Sequence, residues 1–193
     1  MKKLLLLKHW QVFGLLMGVP MFLQCITMGQ IKANDNPSIM ISVFPLVLIL
    51  SVGLFSGWYY AVGTNLYKNL PETATINLKL FKLFLFIPVV YVLLFSLFIQ
   101  GMLGNGEISK IGHPTPTFFA IFIPVNLFLI FCFFYCIFFI GKALKMVECQ
   151  RNMTFNDCVV EILLIWIFPI GVWVIQPRIN KLFETPTDSK NIQ

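Results

Sequence analysis

The amino-acid sequence predicts an all-α integral membrane protein with four transmembrane helices and a broken helical hairpin, re-entrant or interfacial, at the C-terminus. Hydrophobic residues make up 58% of the 193 residues, and charged residues only 11%. The mean hydropathy is +0.84. A soluble domain has about 25% charged residues, so this chain carries too few charges to cover a water-facing surface. Its length is that of one domain.

Four apolar runs of membrane-spanning length predict the transmembrane helices. An α-helix rises ~1.5 Å per residue, so about 20 residues cross a hydrocarbon core of ~30 Å. The predicted spans are residues 11–28, 39–62, 83–103 and 117–141. The final ten residues, 184–193, have little apolar content, and we expect them to be disordered. The membrane domain therefore comprises residues 1–183.

The distribution of Lys and Arg predicts the orientation of the chain. The six polar segments, in order, carry three, one, three, one, three and three of these residues. The first five values alternate as the positive-inside rule requires when the N-terminus is cytoplasmic. The sixth value does not alternate. If residues 158–175 crossed the bilayer, the basic C-terminal segment would face outward.

A hairpin over residues 155–183 would remove this conflict by returning the chain to the cytoplasmic side. Phe168-Pro169-Ile170-Gly171 is its predicted tip, because Pro169 interrupts helical hydrogen bonding and Gly171 permits a reversal. Folding about Ile170 would bring Glu161 and Arg178 to matching depth, where they could pair. The alternative is a fifth span, since C-terminal segments can break the charge rule.

Polar residues within the apolar segments are the candidate site. Glu161 is the acid at membrane depth, which makes it a functional hypothesis, although pairing with Arg178 or Arg151 is the favoured interpretation. Gln100, Asn126 and Gln176 could line a pore or, more commonly, hydrogen-bond between helices.

Small residues at four-residue spacing predict close helix contacts within the monomer. They are Gly14 and Gly18 in the first span, and Gly53, Gly57 and Ala61 in the second. A homo-oligomer would be an alternative use of these faces.

Several chemistries find no support in the sequence. The five cysteines have no CxxC spacing and only two histidines accompany them, so neither a metal site nor a disulfide framework is predicted. No phosphate-binding loop, dinucleotide fingerprint or nucleophile elbow is present. We expect no cofactor, and no basic run is long enough for nucleic acid. An enzyme is the least supported class.

One C-terminal motif resembles a signature of small multi-pass membrane proteins of Bacteroidota. It reads Trp166-x-Phe168-Pro169-Ile170-Gly171-x-Trp173-x-Ile175-Gln176-Pro177-Arg178-Ile179-Asn180. Leu7-Lys8-His9-Trp10-Gln11 and Glu148-x-x-Arg151-x-x-Thr154-Phe155-x-Asp157 fit the same pattern. The resemblance implies a bacterial inner membrane and no catalytic activity.

Two functions are compatible with these features. The first is a non-enzymatic inner-membrane subunit that docks a membrane-protein partner, with lipid bilayer around it. The alternative is a small transporter or channel whose polar path uses Glu161, Asn126 and Gln100. A continuous polar cavity joining these three residues would favour the alternative, and a dry, Phe-packed centre would count against it.

Overall fold

The computed structural model describes residues 5–34, 38–72, 74–104 and 116–183, and within these ranges every regular element is helical. The C-terminal segment predicted to be disordered, residues 184–193, lies outside the described residues.

The first membrane helix consists of three consecutive pieces. These are α1 (His9–Phe13), a π-helical turn (Gly14–Gly18) and α2 (Val19–Asn34). Pro20 has no N–H to donate to the carbonyl of Leu16, so the regular hydrogen-bond ladder must break there. The π turn immediately before Pro20 accommodates the missing bond.

Three long helices and a short helical pair complete the chain. They are α3 (Ser38–Lys68), α4 (Leu78–Gly104), α5 (Pro116–Cys149), a 3₁₀ turn (Asn156–Cys158), α6 (Val159–Trp166) and α7 (Phe168–Phe183). Prolines inside α3, α4 and α5 do not end these helices. In a membrane, neighbouring helices and local adjustments satisfy the backbone groups that proline leaves free.

Four of the helical segments are long and apolar enough to cross a bilayer, which confirms the predicted number of spans. They are His9–Ala33, Val43–Lys68, Leu78–Gly101 and Phe119–Cys149. Each helix is longer than the apolar run predicted to span the membrane, because it also includes polar residues at its ends. The start of α4 has a local cause: the Asn77 side chain accepts hydrogen bonds from the backbone amides of Lys79 at 2.9 Å and Leu80 at 3.4 Å.

The C-terminal helical pair is sharply bent. Asn156–Trp166 and Phe168–Phe183 meet at an angle of 118°, so the second segment runs partly back along the first. This confirms the broken helical pair predicted from the sequence. By length and composition alone, the same pair also matches a fifth, broken span.

α3 lies at the centre of the packing. It contacts α2, α4 and α5, and α4 also packs against α5. In the hairpin, α6 packs against α5, and α7 packs against α6 and α1. The hairpin therefore connects the first membrane helix with the last.

The largest buried cluster lies at the end of the bundle where the hairpin inserts. Its members come from α1, the end of α3, the start of α4, the end of α5 and α7, and include Val12, Leu66, Phe81, Phe139 and Ile175. The rings of Phe81 and Phe139 stack with centroids 4.2 Å apart. Lipid chains are as apolar as these side chains, so close packing, rather than exclusion of water, stabilises this contact.

The prediction that glycines at four-residue spacing mark close helix contacts within the monomer is wrong for the four glycines concerned. A Cβ added at Gly14, Gly18, Gly53 or Gly57 would meet nothing within 4 Å, although Ala61 is buried. These glycines therefore do not mark close helix contacts inside the chain.

Gly63 and Gly141 lie at close contacts between helices. At Gly63 an added Cβ would lie 2.5 Å from the ring of Phe81, and at Gly141 it would lie 2.9 Å from Ile162. Gly63 thus allows α3 and α4 to approach each other, and Gly141 does the same for α5 and α6.

Candidate functional site

The turn of the hairpin lies at Ile167, three residues before the predicted pivot at Ile170. Ile167 leaves the helical conformation with φ −85° and ψ 61°. Its amide donates to the Leu163 carbonyl at 2.9 Å, and its own carbonyl accepts from the amides of Ile170 and Gly171 at 3.0 and 2.9 Å. Pro169 lies in the first turn of α7, where a backbone N–H has no acceptor within the helix, so the N–H that proline lacks is not needed.

Gly171 has a different role from the predicted one. It lies inside α7, and a Cβ added there would be 1.6 Å from the Leu164 carbonyl oxygen of α6. The missing side chain therefore lets the two arms of the hairpin touch through their backbones. The reversal of the chain at Ile167 does not depend on the conformational freedom of this glycine.

The tip of the hairpin reaches the middle of the bundle. The ring of Phe168 lies 5.1 Å from that of Phe55 and 5.5 Å from that of Trp58, and Trp166 lies 6.0 Å from Phe134. Phe55 is half-way along the span Val43–Lys68, and Phe134 is half-way along Phe119–Cys149. The arms thus enter to about half the depth of the bundle and then turn back.

Four charged side chains hold the open end of the hairpin against α5. Lys145 and Glu148 come from α5, Glu161 from α6 and Arg178 from α7. Glu161 accepts through Oε1 from Lys145 Nζ at 3.1 Å and from Arg178 Nη2 at 2.8 Å. Arg178 also donates to both carboxylate oxygens of Glu148, with Nε at 2.8 Å from Oε1. We call these four residues the charge cluster.

Burial makes the charge cluster energetically important. Glu161 is only 2% exposed, and its Oε2 atom has no hydrogen-bond partner in the part of the chain that the structure describes. A buried carboxylate is stable in its charged form only when cations are close to it. Arg178 adds bidentate geometry toward Glu148, which fixes the direction of α7 relative to α5.

The predicted pairing of Glu161 with Arg178 is present, whereas Lys145 and Glu148 were not anticipated as partners. The sequence does place Lys145 and Glu148 three residues apart at the end of an apolar helix. Residues at this spacing lie on one face of the helix. The sequence could not show which segment that face would meet. Arg151, the other predicted partner of Glu161, is exposed.

Gln176 is a hydrogen-bonding residue between elements rather than part of a pore. It is fully buried, accepts from Trp58 Nε1 at 3.3 Å, and donates through Nε2 to the carbonyls of Leu5 and Leu7 at 3.0 and 3.1 Å. The same nitrogen lies 3.1 Å from Asn180 Oδ1. These contacts attach the N-terminal segment and α3 to α7.

The aromatic side chain of Trp173 extends this attachment. Its ring lies 4.5 Å from His9 and 6.3 Å from Phe13, both in α1. Asn180 also donates to the Leu7 carbonyl at 3.2 Å. α7 therefore holds α1 by ring contacts and the segment before α1 by hydrogen bonds.

Asn126 and Gln100 do not join the charge cluster. Asn126 donates to the Phe122 carbonyl of its own helix at 2.8 Å, and Gln100 is exposed near the end of α4. Asn126 precedes Lys145 by 19 residues on α5, which corresponds to about 28 Å along a helix. Stacked and edge-on aromatic rings, including Phe81 with Phe139, occupy the bundle near the cluster.

Comparisons with protein-family models, with curated proteins and with solved structures give no match. The resemblance to membrane proteins of Bacteroidota stays a prediction. Among the described residues, no group of three or more His, Cys, Asp or Glu is placed to hold a metal ion.

Proposed function

We propose that this chain is a non-enzymatic subunit of a bacterial inner membrane that docks a transmembrane helix of another membrane protein on α3. The docking face consists of Leu46, Leu50, Gly53 and Gly57, which follow one another at spacings of four, three and four residues. Residues at these spacings lie on one side of a helix. We call this surface the glycine face.

The observation that carries the proposal is that the glycine face is open. Leu46 is 59% exposed and Leu50 36% exposed, and a Cβ added at Gly53 or Gly57 would meet nothing within 4 Å. Glycine in a helix interior costs roughly 0.5–1 kcal/mol relative to alanine. No contact within the described chain offsets that cost, whereas a partner helix could approach closely over two such glycines.

The hairpin supports an adaptor over a transporter. The charge cluster and Gln176 join the N-terminal segment, α3, α5, α6 and α7 into one unit, with aromatic rings packed between them. Asn126 and Gln100 form no continuous polar path with Glu161 in the described residues. This arrangement favours a fixed scaffold that presents its outer faces to other membrane proteins.

The positions of the cations support an orientation with both termini in the cytoplasm. The hairpin returns α7 to the bundle end at which α1 begins and α5 ends. Cations at this end are Lys8, Lys68, Lys79, Lys82, Lys142, Lys145, Arg151, Arg178 and Lys181. Lys32 lies at the other end of the first span. An excess of cations is typical of the cytoplasmic side.

Photo-cross-linking tests the proposed docking directly. A benzoylphenylalanine at Leu50, in cells that produce the full-length chain, should give one discrete product heavier than the 22.2 kDa monomer. Gly53→Ile and Gly57→Ile should each abolish this product by blocking close approach. The matched control is Gly101→Ile, because Gly101 is also open but lies on α4.

The mass of the product identifies the partner. Mass spectrometry that finds a different membrane protein supports the proposal, whereas a product containing this chain alone would indicate a homo-oligomer. A product that persists in both glycine variants, or no product at all, would contradict docking on the glycine face. Thermal unfolding in detergent should be unchanged in all three variants, which separates loss of docking from loss of folding.

A further inference from the structure

A cavity of about 320 Å³ lies between α3, α4 and α5, on a different side of α3 from the glycine face. Its walls include Ser56, Tyr59, Phe84, Pro88, Leu129 and Phe133. The volume is at the lower end of the ~300–1,000 Å³ typical of small-molecule sites. It is also about ten times the ~30 Å³ share of one water molecule. The cavity is therefore large enough for a small ring-shaped molecule.

The cavity lies at the depth of the bilayer centre. Phe55, also in its wall, is half-way along the span Val43–Lys68, and Phe133 is next to the midpoint of Phe119–Cys149. Phe133 is 42% exposed, so the cavity is accessible from the side that would face lipid. A ligand would therefore enter from the hydrocarbon core rather than from water.

The hydroxyl of Tyr59 is a polar group at the wall. Tyr59 is only 3% exposed, and its hydroxyl forms no hydrogen bond within the described part of the chain. Pro88 also leaves the carbonyl of Phe84 without its usual helical N–H. The phenol can therefore donate to a ligand that carries an acceptor oxygen.

The remaining wall favours a flat ring over a flexible chain. Phe55, Phe84 and Phe133 surround the space together with the ring of Tyr59. Aromatic side chains contact other rings favourably in offset-stacked and edge-to-face geometry. An acyl chain could fill the volume, but near the bilayer centre it consists of methylene and methyl groups and offers no acceptor to Tyr59.

We infer that this cavity binds a ring-shaped lipophile of the benzoquinone class, whose carbonyl oxygen accepts a hydrogen bond from Tyr59. The ring enters laterally from the hydrocarbon core and lies between the aromatic side chains of α3, α4 and α5. This site is independent of partner docking on the glycine face, because the two surfaces share no residue.

Quenching of tryptophan fluorescence by duroquinone tests the inference with the full-length protein in lipid nanodiscs. Trp58 serves as the reporter in a protein whose Trp10, Trp166 and Trp173 are replaced by Phe, because its ring lies 5.4 Å from that of Tyr59. Empty nanodiscs with tryptophan octyl ester give the linear quenching that results from partition alone. The protein should add a saturable component to this background.

Two variants and one control locate the binding. Tyr59→Phe should raise the Kd about tenfold, as expected for the loss of one hydrogen bond inside the bilayer. Ser56→Phe should fill the cavity and remove saturation. Tyr91→Phe should leave the Kd unchanged, since Tyr91 stacks on Phe95 and does not line the cavity.

Two results would overturn the inference. Linear quenching of the wild-type protein would mean that an acyl chain fills the cavity. Saturable quenching that Tyr59→Phe leaves unchanged would place the ring at another site. Tyr59→Phe removes only one oxygen, so this variant keeps the test valid even if Ser56→Phe fails to fold.

Discussion

Arg178 Nη2 lies 2.8 Å from Glu161 Oε1, although the two residues are on opposite arms of the hairpin and 17 positions apart in the chain. In a straight helix the same separation would be about 25 Å. The contact thus depends on the 118° bend between the arms. It also brings both residues to Lys145 and Glu148 at the end of α5.

A double-mutant cycle should show that Glu161 and Arg178 stabilise the fold as a unit. Arg178→Gln should cost about 3 kcal/mol, because it leaves the buried Glu161 carboxylate with Lys145 as its remaining cation. Glu161→Gln should cost less, because Arg178 keeps its bidentate contact with Glu148. The double variant should cost clearly less than the sum of the two. Thermal or denaturant unfolding in detergent measures all three. Arg151→Gln, at an exposed cation, is the control and should have little effect.

Strictly additive losses would contradict this relationship, since additivity means that the two side chains do not interact.

A methyl group at Gly171 should force the hairpin arms apart. The added Cβ would overlap the Leu164 carbonyl oxygen at 1.6 Å, and both atoms belong to rigid helical segments. We expect Gly171→Ala to reach or exceed the upper end of the ~1–3 kcal/mol typical of overpacking. The matched control, Gly53→Ala, adds the same methyl group where nothing lies within 4 Å.

Gly53→Ala should stabilise the helix by roughly 0.5–1 kcal/mol, or leave stability unchanged. Unfolding midpoints in detergent compare the two variants. Equal midpoints would show that the arms of the hairpin do not meet through Gly171.

Replacement of Gln176 should release the N-terminal segment from the hairpin. Gln176→Leu leaves the Trp58 N–H and the Leu5 carbonyl without their partner, and each unsatisfied group costs roughly 1–3 kcal/mol. Hydrogen exchange over residues 5–13 should increase, because these bonds hold the segment that precedes α1 to α7. Gln100→Leu, at an exposed glutamine, is the control. Unchanged exchange in Gln176→Leu would mean that other contacts hold α1 in place.

The spans could be predicted because they depend on local sequence alone. A run of about 20 apolar residues must form its hydrogen bonds internally in lipid, so its composition determines a helix. The ends of the helices were less predictable. The start of α4 at Leu78 depends on the side chain of Asn77, and α5 continues through Lys142 and Lys145 to the charge cluster.

The hairpin could be predicted in outline from charge and from the Phe168-Pro169-Ile170-Gly171 sequence. Its pivot could not, because Ile167 has no feature that distinguishes it from its neighbours before the arms pack together. The role of Gly171 is clear only when Leu164 is known to lie beside it. The same reason explains the glycines of α3: Gly63 contacts Phe81, whereas Gly53 and Gly57 contact nothing nearby.

Only one of the two cations that contact Glu161 could be predicted from the sequence. An acid in an apolar segment predicts that a cation lies near it, and Arg178 follows from folding the hairpin. Lys145 and Glu148 come from α5, whose rotation relative to the hairpin is set by side-chain packing along its whole length, including the close contact of Gly141 with Ile162. No local pattern contains that information.

The return of the chain at Ile167 is the central claim, and reporter fusions after Gln193 in a bacterial host test it most directly. If the hairpin re-enters, a green fluorescent protein fused there should fluoresce in the cytoplasm, and an alkaline phosphatase fused at the same position should be inactive. Active phosphatase with a dark fluorescent protein would place the C-terminus outside and contradict the account.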